Sequence, residues 1–119
     1  MTPELEALAR RAVACPRWRW MPGMLRLRYA PGMADHGKRE GRVEAREDWS
    51  YAPDFADPAT LGCLLALVRE AWSEPLLSVA WAGGGWYVVQ RVRHGVDALR
   101  WIDAATEAEA LVAALEAAP

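Results

Sequence analysis

Residues 57–75, DPATLGCLLALVREAWSEP, decide the fold, because they predict one helix placed between two groups of strands. Asp57 followed by Pro58 is a typical helix start, and Pro75 ends the segment. One face carries Leu61, Leu64, Leu65, Val68 and Trp72, and the opposite face carries Cys63, Ala66, Leu67 and Ala71. A helix that is apolar on both faces is expected to be buried on both. Either the terminal helices or a second subunit would cover it, so monomer and homodimer both stay open.

The chain before this helix predicts one helix and three strands. Thr2 and Pro3 form a helix start, and the helical spacing of apolar residues ends at Pro16. The period then changes to two, which predicts a β-hairpin from 17–20 and 25–29 around Pro22-Gly23, followed by a third strand over 42–49. Residues 30–41 carry a proline, three glycines and mixed charge, which predicts a mobile loop. An irregular link, 50–56, leads to the central helix.

The chain after the helix predicts three more strands and a final helix. Strands over 76–82 and 86–93 flank Gly83-Gly84-Gly85, and a last strand covers 98–103. Trp81 can pair with Trp86 or with Tyr87, so the register of this hairpin stays open. Residues 106–109, TEAE, are a capping box. The order α-β-β-β-α-β-β-β-α predicts a single α+β domain over 1–119, a sandwich of a mainly antiparallel sheet with helices packed on it.

Arginines dominate one face of the predicted first hairpin. Pairing around Pro22-Gly23 places Arg17 opposite Arg28 and Arg19 opposite Arg26, while Arg46 lies on the neighbouring predicted strand. Like charges directly opposite each other destabilise a sheet, so this face needs a counter-charge. A phosphate or carboxylate ligand would supply it, since guanidinium groups bind these anions with two hydrogen bonds. Glu44, Asp48 or acidic residues of the second half of the chain would supply it equally well.

Length and composition indicate a single folded domain, and the charge is unevenly distributed along the chain. The 119 residues suit one domain, and 53% hydrophobic with 25% charged residues is the composition of a folded globule. The net charge of -2 hides an asymmetry. Residues 1–51 hold ten basic and seven acidic groups, and residues 52–119 hold four and nine. The basic first half therefore indicates either an anionic partner or pairing between the two halves.

The seven tryptophans suggest base stacking at first, because single-strand binders interleave aromatic and basic residues. Trp18 and Trp20, however, alternate with the arginines and belong on the face of a core, and Trp72 continues an apolar helix face. Trp49 and Trp86 are the candidates for exposure. Most of the tryptophans are therefore expected to serve folding.

No catalytic, metal or cofactor site is expected. His36 and His94 lie in predicted turns without metal-ligand spacing, and no phosphate-binding motif surrounds Gly83-Gly84-Gly85. Two cysteines allow at most one disulfide, which favours reduced thiols in a cytoplasm. The first six residues lack the features of a signal peptide, and the longest uncharged stretch, 75–90, is too short and too interrupted for a membrane helix. We expect a cytoplasmic protein without a membrane partner.

Three segments carry a resemblance: WRWMPGM at 18–24, DPATLGCLLALVREAW at 57–72 and TEAEAL at 106–111. They resemble parts of small uncharacterised proteins of tailed phages and prophages, and the element order is similar to phage domains described as an α/β sandwich. The resemblance covers about a third of the chain and brings no catalytic residues with it. It implies an accessory protein that works in an infected bacterial cytoplasm.

Together these observations predict a non-catalytic binding protein. The leading expectation is an inhibitor of host machinery or antiviral defence that binds a host protein or a signalling molecule. The alternative is binding of a nucleotide or of nucleic-acid phosphates through the arginine face. The expected ligand-binding residues are Arg17, Arg19, Arg26, Arg28 and Arg46.

Overall fold

The fold contains three helices and six strands in a computed structural model that describes residues 2–28, 37–42, 51–91 and 97–119. The elements are α1 (Pro3–Ala14), β1 (Leu25–Arg28), β2 (Arg39–Arg42), β3 (Tyr51–Pro53), α2 (Pro58–Ala71), β4 (Ser78–Ala82), β5 (Gly85–Arg91), β6 (Asp97–Ala104) and α3 (Glu107–Ala117). The predicted α+β class is confirmed, and so is the order of its elements. The strands form two separate three-stranded antiparallel sheets.

The helix starts follow the predicted capping. The Thr2 hydroxyl accepts a hydrogen bond from the Leu5 N–H at 3.2 Å, and Asp57 caps α2 by accepting from the Thr60 N–H at 3.0 Å. At α3 the Thr106 hydroxyl accepts from the Glu109 N–H at 3.1 Å. Each cap satisfies an N–H group that the first helical turn leaves without a partner, so these boundaries could be read from the sequence.

The first sheet, sheet A, has the strand order β2-β1-β3. β1 pairs with both neighbours: Leu27 lies opposite Ala52 of β3, and Leu25 lies opposite Arg42 of β2. Leu25 and Leu27 are buried, whereas Arg26 and Arg28 are half-buried on the other face. The predicted alternation along this strand is therefore correct, with the apolar face directed inward.

The predicted hairpin around Pro22-Gly23 is wrong, because residues 17–20 form no strand. Residues 21–24 make a turn in which the Met24 N–H donates to the Met21 carbonyl at 3.2 Å, with φ of 98° at Gly23. Proline followed by a glycine with positive φ is the pattern of a type II turn, whose twist splays two strands apart. The chain thus enters β1 from an irregular segment, and β1 finds its partners elsewhere.

Two further boundaries differ from the sequence prediction. β2 includes residues 39–41, the end of the stretch predicted as a loop, and residues 30–36 of that loop lie outside the described residues. β3 falls inside the predicted irregular link 50–56, while the predicted third strand keeps only Arg42 among the described residues. Both strands are short and gain their partners from β1, a contact that no local sequence pattern reveals.

The second sheet, sheet B, has the order β4-β5-β6. Its first hairpin turns at Gly83 and Gly84, both with positive φ of 60° and 87°, as a two-residue type I′ turn requires. Trp81 therefore pairs with Trp86, which settles the register that the sequence left open. The two indole rings meet edge to face, with centroids 5.7 Å apart.

The core lies around α3, which contacts α1, α2 and all three strands of sheet B. Fully buried side chains come from α2 and α3 and from both sheets, with Leu64, Val68, Val88, Leu111, Val112 and Leu115 among them. α3 packs against α2. Cover by a terminal helix was one of the two alternatives that the sequence left open for this apolar helix. None of the helices in the described ranges is long and apolar enough to cross a membrane.

Candidate functional site

The most unusual surface is the outer face of sheet A, where two arginines flank one aromatic ring. Arg28 lies directly opposite Tyr51, and Arg26 lies opposite Pro53, on the same side of the sheet. The Arg26 guanidinium carbon is 4.4 Å from the centroid of the Tyr51 ring, and that of Arg28 is 5.8 Å away. Both distances fall within the range of cation–π attraction. We call Arg26, Arg28 and Tyr51 the arginine–tyrosine patch.

The contact described for the Arg26 guanidinium is with the Tyr51 ring. Its Nε atom is buried and has no hydrogen-bond partner, and none of the ion pairs found within the described ranges includes this side chain. A guanidinium held by an aromatic face keeps its N–H groups directed along its edge, where they can meet an anion. Stacking on Tyr51 therefore orders a cation without neutralising it.

A third cation lies beside the patch. The Arg28 N–H donates to the Lys38 carbonyl at 2.8 Å, and the Gly37 N–H donates to the Arg28 carbonyl at 2.8 Å. These bonds extend the pairing of β1 toward the start of β2 and bring the exposed Lys38 next to Arg28. The backbone pairing thus places a third basic residue at this end of sheet A, and a local excess of positive charge attracts anions.

Arg17 and Arg19 do not join this face, which corrects the prediction of four arginines in one ladder. Arg19 Nη1 lies 2.6 Å from each of the two carboxylate oxygens of Glu70 at the end of α2. This hydrogen bond lowers the pKa of Glu70 and raises that of Arg19. Arg17 donates to the carbonyl of Pro119, in the irregular segment after α3. The acidic second half of the chain therefore supplies the counter-charge here, as the internal alternative expected.

Arg46 lies outside the described residues, so its predicted role stays a prediction. Arg42, at the start of the predicted third strand, forms an ion pair with the helix cap Asp57: Nη1 and Nη2 lie 2.8 and 3.1 Å from its two carboxylate oxygens. Hydrogen bonding from Arg42 holds the pKa of Asp57 well below its usual range. Arg42 also donates to the Gly23 carbonyl at 2.9 Å, so it joins the turn, β2 and α2.

Thr60 connects the same helix start to β1 from inside the protein. Its buried hydroxyl accepts a hydrogen bond from the Leu25 N–H at 2.7 Å and donates to Asp57 at 2.8 Å. The first turn of α2 therefore fixes where β1 begins, and with it where Arg26 and Arg28 point. Sequence reasoning identified Asp57 as a cap but gave Thr60 no role, because the partner of its hydroxyl lies 35 positions away in the sequence.

The tryptophans largely serve the core. Trp20 is buried and Trp18 is half-buried, with their rings edge to face at 5.5 Å, and Trp72 donates to the Ala114 carbonyl at 2.8 Å. Trp86, expected to be exposed, is half-buried, while Trp81 is 57% exposed. Trp49 lies outside the described residues. The one well-exposed indole with a described environment is thus on sheet B, away from the arginine–tyrosine patch.

A cleft of about 460 Å³ lies between α1 and the start of α3. Two of its charged groups already have partners inside the protein: Arg11 bonds to Glu116 at 2.5 Å, and Glu109 accepts from the Ala105 N–H at 3.1 Å. Leu5, Leu8 and Ala7 supply its apolar wall. Small-ligand sites combine such a wall with several polar groups aimed at one point, and this cleft lacks that convergence.

The described residues contain few groups that could act as nucleophiles or metal ligands. Both cysteines are free, with Cys15 buried and Cys63 half-buried, and burial raises the pKa of the Cys63 thiol. Within those residues no group of three or more histidine, cysteine or carboxylate side chains is placed to hold a metal ion. His36 and His94 lie outside the described residues.

Comparison with known proteins finds no relative. No family model matches the chain, no curated protein is similar to it, and no solved structure matches it.

Proposed function

We propose that this chain is a small non-catalytic binding module whose working surface is the arginine–tyrosine patch. Its partner would be a host protein that presents an acidic segment. Two guanidinium groups at alternate positions of one strand, both on the same face, can grip one or two carboxylates of such a segment. The planar guanidinium offers two parallel N–H groups, which match the two oxygens of a carboxylate.

The observation that carries the proposal is the state of Arg26. This cation lies against the Tyr51 ring, and it is not paired with a carboxylate in the described part of the chain. By contrast, Arg10, Arg11, Arg19 and Arg42 all have carboxylate partners. A cation that is held in place, and that no carboxylate of the described ranges neutralises, is suited to an external anion.

The alternative is phosphate binding by a nucleotide or nucleic acid through Arg17, Arg19, Arg26 and Arg28. Its premise was one continuous face of four guanidinium groups. The structure separates them, with Arg19 bonded to Glu70 and Arg17 directed at the chain end beyond α3. A strand of nucleic acid presents a row of phosphates and gains affinity from each one neutralised, so a compact pair of arginines suits it less.

The biological setting in this proposal comes from the sequence resemblance to small phage proteins. A phage accessory protein that inhibits host machinery or defence would work by occupying a host protein in the bacterial cytoplasm. Fold likeness alone does not carry a function, so the proposal rests on the patch and takes only its setting from the resemblance.

The test measures binding of two labelled probes, a short polyglutamate peptide and a short oligothymidylate, by fluorescence anisotropy at about 150 mM salt. The double variant Arg26→Ala/Arg28→Ala should lose about tenfold or more in affinity for polyglutamate, because hydrogen bonds to charged groups contribute about 1.5–3 kcal/mol. The matched control is Arg10→Ala/Arg19→Ala, which removes the same charge from arginines that already have carboxylate partners.

Each outcome decides between the candidates. Loss confined to the patch variant supports the proposal. Equal loss in both variants shows that net charge, not the patch, drives binding, and absence of polyglutamate binding to the unaltered protein also contradicts it. Tighter, patch-dependent binding of oligothymidylate with a steep salt dependence would establish the phosphate alternative instead.

A further inference from the structure

We propose that β4 is a dimerisation strand, which pairs antiparallel with β4 of a second copy of this chain. β4 lies at the edge of sheet B, with β5 on its inner side. On its outer side the described ranges contain no strand paired with it. An edge strand presents a row of unpaired N–H and C=O groups, which is a template for another strand.

This edge lacks the features that normally keep sheet edges apart. Soluble proteins protect such edges with lysines, prolines, bulges or inward-pointing charges. β4 reads Ser-Val-Ala-Trp-Ala, with no charge, no proline and no register shift against β5. The uncharged stretch continues from Pro75 to Gln90, so both strands of this hairpin are neutral up to the last residue of β5, Arg91.

The exposed apolar side chains also favour β4 as an interface. In the described ranges two large hydrophobic residues are exposed, Leu76 at 60% and Trp81 at 57%, and they lie just before β4 and within it. Large apolar side chains exposed along one edge segment are candidates for contact with a partner. A partner at this edge would remove both from water.

The hairpin geometry determines which backbone groups are free. Ala82 and Gly85 flank the two-residue turn and are therefore a hydrogen-bonded pair. Pairs alternate along an antiparallel ladder, so Ala80 bonds to Tyr87, whereas Val79 and Trp81 direct their N–H and C=O groups outward. Before β4 the Leu77 carbonyl accepts from Arg69 Nε at 2.6 Å, so that carbonyl is already occupied. Among the residues that the structure describes, the backbone groups left unpaired along this edge are thus those of Val79 and Trp81.

These two residues fit a second copy of themselves in one register. If the two-fold axis passes at Ala80, Val79 lies opposite Trp81 of the second copy, and each pair exchanges two hydrogen bonds. Opposite side chains share a face, so each exposed indole packs on the valine of the other copy. In the same register Leu76 meets the Gly83–Gly84 turn of the second copy, where no side chain obstructs it.

The neutrality of the edge favours a second copy over a charged partner strand. Two identical charged strands would place like charges opposite each other, and this strand avoids that cost because it has none. An isologous pairing also closes after two subunits, which protects the edge from further growth. The inference is independent of the arginine–tyrosine patch, which lies on the other sheet.

The first test is analytical ultracentrifugation of the full chain and three variants, each checked for folding by circular dichroism. The unaltered protein should be a dimer. Ala80→Lys and Ala80→Glu should each be monomeric, since like charges meet at the axis, and an equimolar mixture of the two should form a heterodimer. The matched control, Ala82→Lys, places its charges far from the axis and should stay dimeric.

The second test decides the matter if a charged variant fails to fold. Residues opposite each other at a non-hydrogen-bonded pair lie about 4.5 Å apart between Cα atoms, which suits a disulfide. In a Cys63→Ser background, oxidised Ala80→Cys should give a covalent dimer, and Ala82→Cys should not. The proposal is overturned if the unaltered protein is a monomer, or if Ala80→Lys and Ala80→Glu both remain dimeric. Equal cross-linking of Ala80→Cys and Ala82→Cys would also overturn it.

Discussion

The two sheets are alike in size and pairing but opposite in chemistry. Sheet A is joined to α2 by polar contacts, with the Leu25 N–H bonded to Thr60 and Arg42 bonded to Asp57, and its outer face carries the arginine–tyrosine patch. Sheet B is covered by α3 through apolar side chains, and its β4 edge is neutral. The same three-stranded frame therefore presents a cationic surface at one place and an apolar edge at another.

This contrast shows how position in the fold assigns a role to residue types that look equivalent in the sequence. Arg19 and Arg26 both alternate with apolar residues, yet Arg19 meets Glu70 while Arg26 meets an aromatic ring. Trp20 and Trp81 likewise differ, since one is buried and the other is mostly exposed. The surroundings of each side chain, and not its residue type, decide whether it stabilises the fold or is available for binding.

The largest effect is expected in the apolar cover of sheet B. Leu111→Ala on α3 empties a fully buried position, so the free energy of unfolding should fall by about 3 kcal/mol, as in other buried leucine-to-alanine changes. Urea denaturation measures this loss. The half-buried Leu65→Ala should lose clearly less, and an equal loss in the two variants would contradict the assignment of α3 as the centre of the core.

The next effect concerns the polar connection of sheet A. Thr60→Val keeps the shape of the side chain but leaves the buried Leu25 N–H without its acceptor, which should cost about 1–3 kcal/mol. Thr60→Ser retains the hydroxyl and should keep most of the stability. If the Thr60→Val and Thr60→Ser variants had the same free energy of unfolding in urea denaturation, the hydrogen bond from α2 to β1 would not hold sheet A in place.

A smaller, pH-dependent effect should come from Asp57. Its carboxylate caps α2, so Asp57→Ala should cost about 1 kcal/mol near pH 7. Since Arg42 lowers the pKa of Asp57 in the folded state below the ordinary value of 3.8, its contribution is present above about pH 4 and is lost as the pH falls further.

The matched control for this titration is Asp57→Asn, which keeps a neutral cap. Urea unfolding at pH 7 and in the range below about pH 4 should show a smaller loss of stability on acidification for the asparagine variant than for the unaltered protein. An identical pH dependence in the two proteins would show that the pair of Arg42 and Asp57 does not form in solution.

The smallest effect is expected at the pair of Arg19 and Glu70. Both side chains are about half exposed, so solvent and salt screen their attraction. Arg19→Ala and Glu70→Ala should each leave the midpoint of urea denaturation unchanged within error. A clear loss in either variant would mean that this pair does more than neutralise charge at the end of α2.

The sequence was sufficient for the helices and for the class of fold. Capping residues and apolar spacing act locally, so Thr2, Asp57 and Thr106 identified all three helix starts. Sheet A could not be predicted in the same way. Its pairing depends on contacts between distant segments, and the type II turn at Pro22-Gly23 separates two stretches whose alternation alone favours a hairpin.

The candidate site was half predicted. Alternation along β1 predicted that Arg26 and Arg28 lie on one face, and the structure confirms this. Tyr51 was missed because it lies in a three-residue strand within a predicted link, with no periodicity to reveal it. Glu70 was missed as the partner of Arg19 because the two are 51 positions apart, and only the acidic balance of the second half hinted at such a pair.

The most direct test of the central claim is an NMR titration that follows the Nε–H signals of the arginine side chains as polyglutamate peptide is added. We expect shifts at Arg26 and Arg28, whose guanidinium groups lie against the Tyr51 ring, and little change at Arg10 and Arg19, which are paired with carboxylates. Equal shifts at all four arginines, or shifts at Arg10 and Arg19 alone, would contradict the assignment of the arginine–tyrosine patch as the binding surface.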